Sequence, residues 1–497
     1  MSSVDVPLEQ LVDVVRGVSF PTTAKRKEAA PGLIACLRTT NVQESVEWED
    51  LLHIDESYVR TPEQFVRAGD ILISMSNSLD LVGKCALVTQ MPRQATFGTF
   101  IAVVRPKAGV NPRYVFHAMR SPAFRAHIRN AASTTTNISN INASKLVAAT
   151  VPLFGSSNCD AIASRVEGLF SEIDEGERAL ERVQKLVERY RRSVLKAAVT
   201  GELTRMWRTQ HLHATEPSGT LLEQVLQMRR RALGASARQP TAPAHANVPG
   251  LEELPEGWCW ATLDQLTTLV TSGSRGWKDL YSETGATFIR AQNIKHDRLE
   301  LDDVAFVNLE GVSDGLRTKV TRDDILITIT GANVTKAARI DIDLADAYVS
   351  QHVALVRPVI PALSRYLYYW TVSSANGRAQ LVEAAYGAGK PGLSLEDLRS
   401  VVVPLPPLSE QLHIAEVVDV ELSRLAALSA QYETSAGAAA VLRQAVLKAA
   451  FSGQLVPQDP TDEPASALLA RLAEQAADTS ATTPRRAPRT RSKVITA

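Results

Sequence analysis

Leu195-Lys196-Ala197-Ala198-Val199-Thr200-Gly201-Glu202-Leu203 returns later in the chain as Leu447-Lys448-Ala449-Ala450-Phe451-Ser452-Gly453-Gln454-Leu455. Six of the nine positions are identical, and the other three pair Val with Phe, Thr with Ser and Glu with Gln. From Leu195 to Leu447 is 252 residues. The same offset sets Val151-Pro152-Leu153 against Val403-Pro404-Leu405, Val104-Arg105-Pro106 against Val356-Arg357-Pro358, Arg113-Tyr114 against Arg365-Tyr366, and Arg38-Thr39-Thr40-Asn41 against Arg290-Ala291-Gln292-Asn293. A register kept over most of each half marks an internal duplication. Only Asp70-Ile71-Leu72-Ile73 against Asp324-Ile325-Leu326-Ile327 departs, at 254 residues, so a small insertion and a compensating deletion separate the halves there, both in expected loops.

Upstream of each copy lies the strongest periodic signal. Ile162, Val166, Leu169, Ile173, Leu180, Val183, Val187, Tyr190 and Val194 follow alternating steps of four and three, with Gly176 the weak position. The second half answers with Ile414, Val418, Leu425, Leu428, Tyr432, Ala439, Leu442 and Val446, blemished by Glu421 and Ser435. Heptad stripes of this length demand a helical partner, so two long helices are expected to pack on one another. A helix of about 40 residues is on the order of 60 Å long. The outer positions, among them Glu177, Arg178, Glu181, Arg182, Lys185, Glu188, Arg189, Arg191 and Arg192, read as a solvated face; a phosphate-contacting stripe is the alternative.

Ahead of each helix the chain reads as a compact α/β module of about 150 residues. Val6-Pro7-Leu8-Glu9-Gln10-Leu11 matches Ala261-Thr262-Leu263-Asp264-Gln265-Leu266 as the opening of each module. Strands are expected at Ile71 to Met75, Cys85 to Val88 and Phe100 to Arg105, and again at Ile325 to Ile329, Ala337 to Ile342 and Val353 to Arg357. A short helix follows each set (Pro112 to Met119; Ser364 to Val372), then a polar loop (Ala131 to Asn140; Ala385 to Gly392) and a last apolar run ended by proline. After the repeated nonapeptides, Glu216-Pro217-Ser218 and Glu463-Pro464-Ala465 open a short helix each. Residues 235–249, rich in Ala, Pro and Gln, read as a flexible linker, and the Arg-rich tail after Ala476 as disordered. The expected division is a first module over 1–153, its long helix over 154–204, a short helix and linker over 205–250, a second module over 251–403, its helix over 404–457, and a short helix with a disordered basic tail over 458–497.

Lys+Arg of 54 balance Asp+Glu of 54, so any nucleic-acid binding has to be local. Cys36, Cys85, Cys159 and Cys259 lie far apart without a Cys-x-x-Cys, which argues against a disulfide framework or zinc ribbon and fits packing residues in a reducing cytoplasm. No apolar run is long enough to span a membrane, and the amino terminus has no signal-peptide pattern. Catalytic constellations are missing too. Gly387-Ala388-Gly389-Lys390-Pro391 has proline where a phosphate-binding loop needs Ser or Thr, and His211 and His213 have no ligand-bearing neighbours at metal spacing. Neither a catalytic residue, a metal nor a cofactor is expected.

With duplicated modules each followed by a long helix ending in Leu-Lys-Ala-Ala-x-x-Gly-x-Leu, the sequence closely resembles the specificity subunit of type I restriction-modification systems, the HsdS-like family. The motifs that carry the resemblance are Leu254-Pro255-Glu256-Gly257-Trp258, Arg290-Ala291-Gln292-Asn293, Asp324-Ile325-Leu326-Ile327-Thr328, Leu405-Pro406-Pro407-Leu408-Ser409-Glu410-Gln411 and the two helix ends. The first half lacks the Trp lead-in and the Pro-Pro-Leu-x-Glu-Gln leader, carrying Val151 to Ser157 instead. The resemblance implies an α+β protein: two α/β target recognition domains in tandem repeat, separated by two long helices that form an antiparallel coiled coil. It implies a non-catalytic cytoplasmic subunit that reads a two-part site on double-stranded DNA. Two modification (methyltransferase) subunits and restriction (translocase and nuclease) subunits would dock on it, with no membrane partner. A specificity chain of a methyltransferase-only defence system, and a coiled-coil scaffold without a DNA role, are the alternatives.

Base reading needs paired donors and acceptors, whereas phosphate contacts only position a module. Candidates in the first module are Arg38, Thr39, Asn41, Asn77, Lys84, Thr134 and Asn137. Those in the second are Arg275, Lys278, Arg290, Gln292, Asn293, Asn333, Lys336, Tyr386 and Lys390. Because Arg38/Asn41 and Arg290/Asn293 recur, a shared task such as a turn hydrogen bond or a phosphate contact suits them better than base reading. For partner docking the candidates are Lys196, Ala197, Ala198, Lys448, Ala449 and Ala450, with close helix packing by the small residues as the competing reading.

Overall fold

Two helices of 44 residues each, Ser156–Val199 and Leu408–Phe451, run through both of the compact units into which the chain divides. The computed structural model describes residues 3–481 apart from 136–137, 212–214, 235–237, 244–250, 252, 274–275, 311–314, 386–391, 458 and 460. One unit comprises Met1–Leu180 with Thr434–Ala497, the other Glu181–Glu433. In the first unit the opening half of the first long helix lies with the closing half of the second, and its Ile162, Ala163 and Val166 share a core with Leu447 and Ala450. In the second unit the halves are exchanged, and Val194, Leu195, Ala198 and Val199 share a core with Ile414, Ala415 and Val418. The helices therefore pair antiparallel.

The heptad expectation needs one correction. Val183, Tyr190, Leu428 and Leu442 are 45–52% exposed. Two helices cover only a narrow stripe of each other, so large side chains at its margins stay half open. Polar contacts fill part of the seam. In the first unit Arg443 Nη2 meets Asp174 Oδ1 at 2.5 Å and Glu177 Oε2 at 2.6 Å.

Each unit holds one module, and the two modules repeat one design. In the first, a four-stranded sheet has the order Val12–Arg16, Ile101–Pro106, Ile71–Ser74, Cys85–Leu87, all antiparallel. In the second the order is Thr267–Ser272, Val353–Pro358, Ile325–Thr328, Ala337–Arg339. Beside each lies another sheet built on a parallel pair, Leu33–Leu37 with Ala95–Phe97 and Ala286–Ile289 with Ala347–Val349. The short strands of these second sheets were not expected from the sequence. A two-stranded ladder closes each module, Val4–Pro7 with Thr150–Leu153 and Cys259–Thr262 with Val402–Leu405. The helices Pro112–Arg120 and Ser364–Val372 fall where expected.

The repeated residues turn out to be the braces of this design. Arg105 grips Asp70 through Nε and Nη2, both at 2.7 Å, and Arg357 grips Asp324 in the same fork at 2.8 and 2.7 Å. The Tyr114 hydroxyl donates to the Pro152 carbonyl and that of Tyr366 to the Pro404 carbonyl. Arg113 pairs with Glu167, and Arg365 with Asp419, tying each module to a long helix in its own unit.

Two expected loops are more ordered than the sequence suggested. Within Ala131 to Asn140, Ser133–Thr135 and Ile138–Asn140 form a hairpin that pairs with Ser76–Asn77. Within the expected linker, Arg238 pairs with Glu396 and the Thr241 amide donates to Asp264, so Arg238 to Thr241 is pinned to the second module. Of the tail expected to be disordered after Ala476, the residues up to Ala481 continue the helix Ala465–Ala481, and those from 482 lie outside the described residues. Cys36, Cys85 and Cys159 are buried free thiols that burial pushes up to about 12, 11 and 12, which suits packing residues. Among the described residues no helix is long and apolar enough to cross a membrane.

Candidate nucleic-acid interface

Arg38 to Asn41 forms a tight turn at the end of Leu33–Leu37, and Arg290 to Asn293 forms its counterpart after Ala286–Ile289. Asn41, 2% exposed, accepts from the Arg38 amide at 2.9 Å and donates to the Glu47 and Glu49 carbonyls. Asn293 repeats this with the Arg290 amide at 3.0 Å and the Glu300 and Asp303 carbonyls. Both asparagines are thus taken up by a turn hydrogen bond. The arginines face their own acids, Arg38 at Asp50 and Arg290 at Asp303, over 2.9 and 3.7 Å.

Two further candidates, Lys84 and Asn333, contact residues in or beside these turns. In the first module the Lys84 ammonium reaches Gln43 Oε1 at 2.5 Å, Asn77 bonds the Ser78 amide, and Thr134 meets Ser139 within the new hairpin. Thr39 is half-buried in the turn itself. In the second module Asn333 donates to the Ala291 carbonyl at 3.3 Å, exposed Gln292 donates to Asp303, and Lys336 is half-buried on the same hairpin loop as Asn333. The backbone of Lys278 lies in the turn Trp277–Leu280. Asn137, Arg275, Tyr386 and Lys390 lie outside the described residues.

A further turn in each module went unmarked in the sequence, where Phe100 was assigned to a strand. Gly98-Thr99-Phe100 joins the parallel pair to the four-stranded sheet, and Ser350-Gln351-His352 does so in the second module. The Gly98 amide donates to the Leu37 carbonyl at 3.0 Å and the Ser350 amide to the Ile289 carbonyl at 2.8 Å. Phe100 and His352 carbonyls accept from Met75 and Ile329 amides at 2.8 and 2.9 Å. Met75 and Ile329 carbonyls in turn accept from Ile141 and Leu393, both at 2.9 Å. One ladder therefore lines up the end of the strand before the Arg-to-Asn turn, the three-residue turn, the hairpin loop and the residue that follows each polar segment. The signal was available: 252 residues also separate Gly98 from Ser350, a mismatched triplet between matched strands.

The docking candidates divide. Ala198 and Ala450 are fully buried in the cores of their units, whereas Lys196 and Lys448 are exposed and Ala197 and Ala449 half-buried. Close packing therefore accounts for the second alanine of each pair. Both helices then end on a left-handed glycine, Gly201 (φ 76°) and Gly453 (φ 75°), a conformation that favours a residue without Cβ.

Beyond the second nonapeptide and the first, the ends of the long helices are locked differently. In the second unit Glu410, fully buried, accepts from Thr204 (2.6 Å), Trp258 Nε1 (2.8 Å) and Arg208 (2.9 Å). In the first unit Asn158 stands at the equivalent place, and Asp462 accepts from the Ser157 and Asn158 amides at 3.2 and 2.9 Å, capping the helix. Among the described residues no group of three or more His, Cys, Asp or Glu could hold a metal ion.

One frame used twice, with loops that differ and each copy braced to part of a helix pair, defines a tandem-module protein whose variable surface rides on a constant scaffold. Residues 255–431 match the type I restriction modification DNA specificity domain, and the chain resembles type I restriction-modification specificity subunits over most of its length. It is 23% identical over 95% of its length to the EcoKI specificity subunit of Escherichia coli K12, covering 95% of that protein. The StySPI specificity subunit of Salmonella potsdam is 22% identical over 92% of this chain and 90% of its own. In fold, the chain matches one from a structure of complex assembly and conformational transition of the type I R-M system (TM-score 0.62, 18% identity, 91% of this chain and 98% of that one). It also matches the HsdS subunit from Thermoanaerobacter tengcongensis (TM-score 0.50, 18% identity, 91% and 97%).

Proposed function

We propose that this chain is the non-catalytic DNA-specificity subunit of a type I restriction-modification complex. Each module reads one part of an interrupted site on double-stranded DNA, and modification and restriction subunits, borrowed for the chemistry, dock along the helices. The observation that carries this reading is the loop ladder repeated bond for bond in two modules whose loop side chains differ. A scaffold needs no such loops. A reader of two different half-sites needs a constant frame with different side chains on it. With zero net charge the chain holds DNA weakly by itself, and the assembled complex loses affinity steeply as salt rises through its local phosphate contacts. Both a nuclease-bearing complex and a methyltransferase-only one would use the chain in this way.

The test is to express the chain with its methyltransferase and map modified bases across the host genome. A gapped motif is expected, and replacing residues 1–153 with the corresponding module of another specificity subunit should change one side of the gap only. An uninterrupted motif, or changes on both sides after a single exchange, would overturn the reading.

A further inference from the structure

The three-residue turns stand out by a backbone that is fixed and side chains that change between the modules. Their backbones are held from three sides. The Ile101 amide returns to the Gly98 carbonyl and the Val353 amide to the Ser350 carbonyl, each at 3.0 Å, in addition to the two cross-loop bonds already described. A glycine presses on each turn: a Cβ on Gly17 would lie 2.2 Å from the Gly98 carbonyl oxygen, and one on Gly273 would lie 2.0 Å from the Val349 oxygen. None of these bonds uses a side chain, and the side chains differ between the two modules. Phe100 is 63% exposed. Its counterpart His352 is joined to exposed Gln351 by a ring nitrogen to amide contact of 3.2 Å.

The second turn also borders a cavity of about 350 Å³ whose walls include Tyr281, Phe288, Arg290 and Gln292. Among the described residues two buried polar atoms there lack a hydrogen-bond partner, Ser350 Oγ and Arg290 Nε, and Ser350 is only 5% exposed. Orphaned donors and acceptors at a cavity wall are what a site waiting for a polar ligand leaves behind.

We propose that Gly98-Thr99-Phe100 and Ser350-Gln351-His352 are the specificity-determining turns of the two modules, rigid backbones that present Phe100 and Gln351 to base edges. Phe100 supplies an apolar contact of the kind a thymine methyl accepts. Gln351 supplies the paired donor and acceptor that match adenine in the major groove. The proposal rests on the two-part DNA reading, and it narrows that reading to residues that recur in position but not in kind.

The full chain, co-expressed with its methyltransferase, carries the test. Thr99→Gln with Phe100→His transplants the second turn onto the first frame, and the modified motif is mapped beside that of the unaltered chain. The expected result is a changed or degenerate base on one side of the gap, the side altered by exchanging residues 1–153, with the other side untouched. Gln351→Ala should act on the opposite side, lowering modification at preferred sites at least fivefold. If the double variant fails to co-purify with methyltransferase, Phe100→Leu and Gln351→Asn replace it with the same readings. An unchanged motif modified at an unchanged rate overturns the proposal while leaving the interrupted site intact. Absence of a gapped motif with the unaltered chain overturns the underlying reading instead.

Discussion

Glu410 is the residue on which the second unit's polar interior depends, because a fully buried carboxylate survives only when every lone pair is engaged. Thr204, Arg208 and Trp258 do that here, and Arg208 also lies over the Trp258 ring at 5.5 Å. Removing one member of a buried pair leaves the other unpaired, so Glu410→Ala should lower stability by about 3–5 kcal/mol, read as a urea midpoint shift. A loss under about 1 kcal/mol would mean that the network adds nothing beyond packing. His117 in the first unit offers a test by pH. Burial pushes it down to about 4, against the weaker pull of Glu167 at 3.4 Å, and among the described residues its Nδ1 has no hydrogen-bond partner. The folded state therefore binds its proton less readily than the unfolded state, so stability is full above about pH 6.5 and falls as pH drops toward 4. The loss from this residue is about 3 kcal/mol at the lower end. His117→Asn should flatten that part of the pH profile relative to the unaltered chain, and parallel profiles would refute the assignment. The leader containing Glu410 was visible as a motif, but its partner Arg208 was not, since no local pattern links residues some two hundred positions apart.

Among the elements, the long helices were the most legible, because a 3.5-residue period sustained over many turns has few other physical meanings. The three-residue strands around the parallel pairs were the least. Ala95–Phe97 and Ala347–Val349 are fully buried and too short for any alternation to register, so tertiary pairing alone defines them. The site candidates fared in the same way. Recurrence suggested a shared task for Asn41 and Asn293, a turn hydrogen bond or a phosphate contact, and both make the turn hydrogen bond, whereas Phe100 was hidden by its resemblance to the strand that follows it. The repeated nonapeptide allows a direct experiment at this scale. Ala198 is buried, so a large side chain there should overpack the core and cost about 1–3 kcal/mol. Ala197 is one position round the helix and half-buried, so Ala197→Trp should leave the melting temperature nearly unchanged. If the helix end docks a modification subunit, co-purification of methyltransferase falls with Ala197→Trp and with Ala449→Trp. Normal co-purification by both folded variants would sink the docking idea and leave only helix packing.

At the scale of the whole chain, the compact units ignore the order of the repeat. Glu181–Glu433 is one uninterrupted stretch that owns its module, its short helix Ser218–Leu233 and both of its helix halves. Its core runs from Val194 through Trp370 to Val418 without leaving that stretch. The other unit is split, and Met1–Leu180 must wait for the end of the chain to supply Leu447, Ala450, Ala465, Leu468 and Leu472. Burying a leucine fully contributes about 1.5–3 kcal/mol. The three leucines in that set thus represent about 5–9 kcal/mol, as much as the net stability of many domains. The two halves of a gene duplication should therefore behave unequally when cut. A fragment of residues 181–433 is expected to unfold cooperatively in urea by itself, with near-ultraviolet circular dichroism intact before the transition. A fragment of residues 1–180 is expected to lack that signal until residues 434–481 are added in trans, when the signal should return. Cooperative unfolding of residues 1–180 alone would show that the late segment merely decorates the first module, and the account of its core given by those leucines would have to be abandoned.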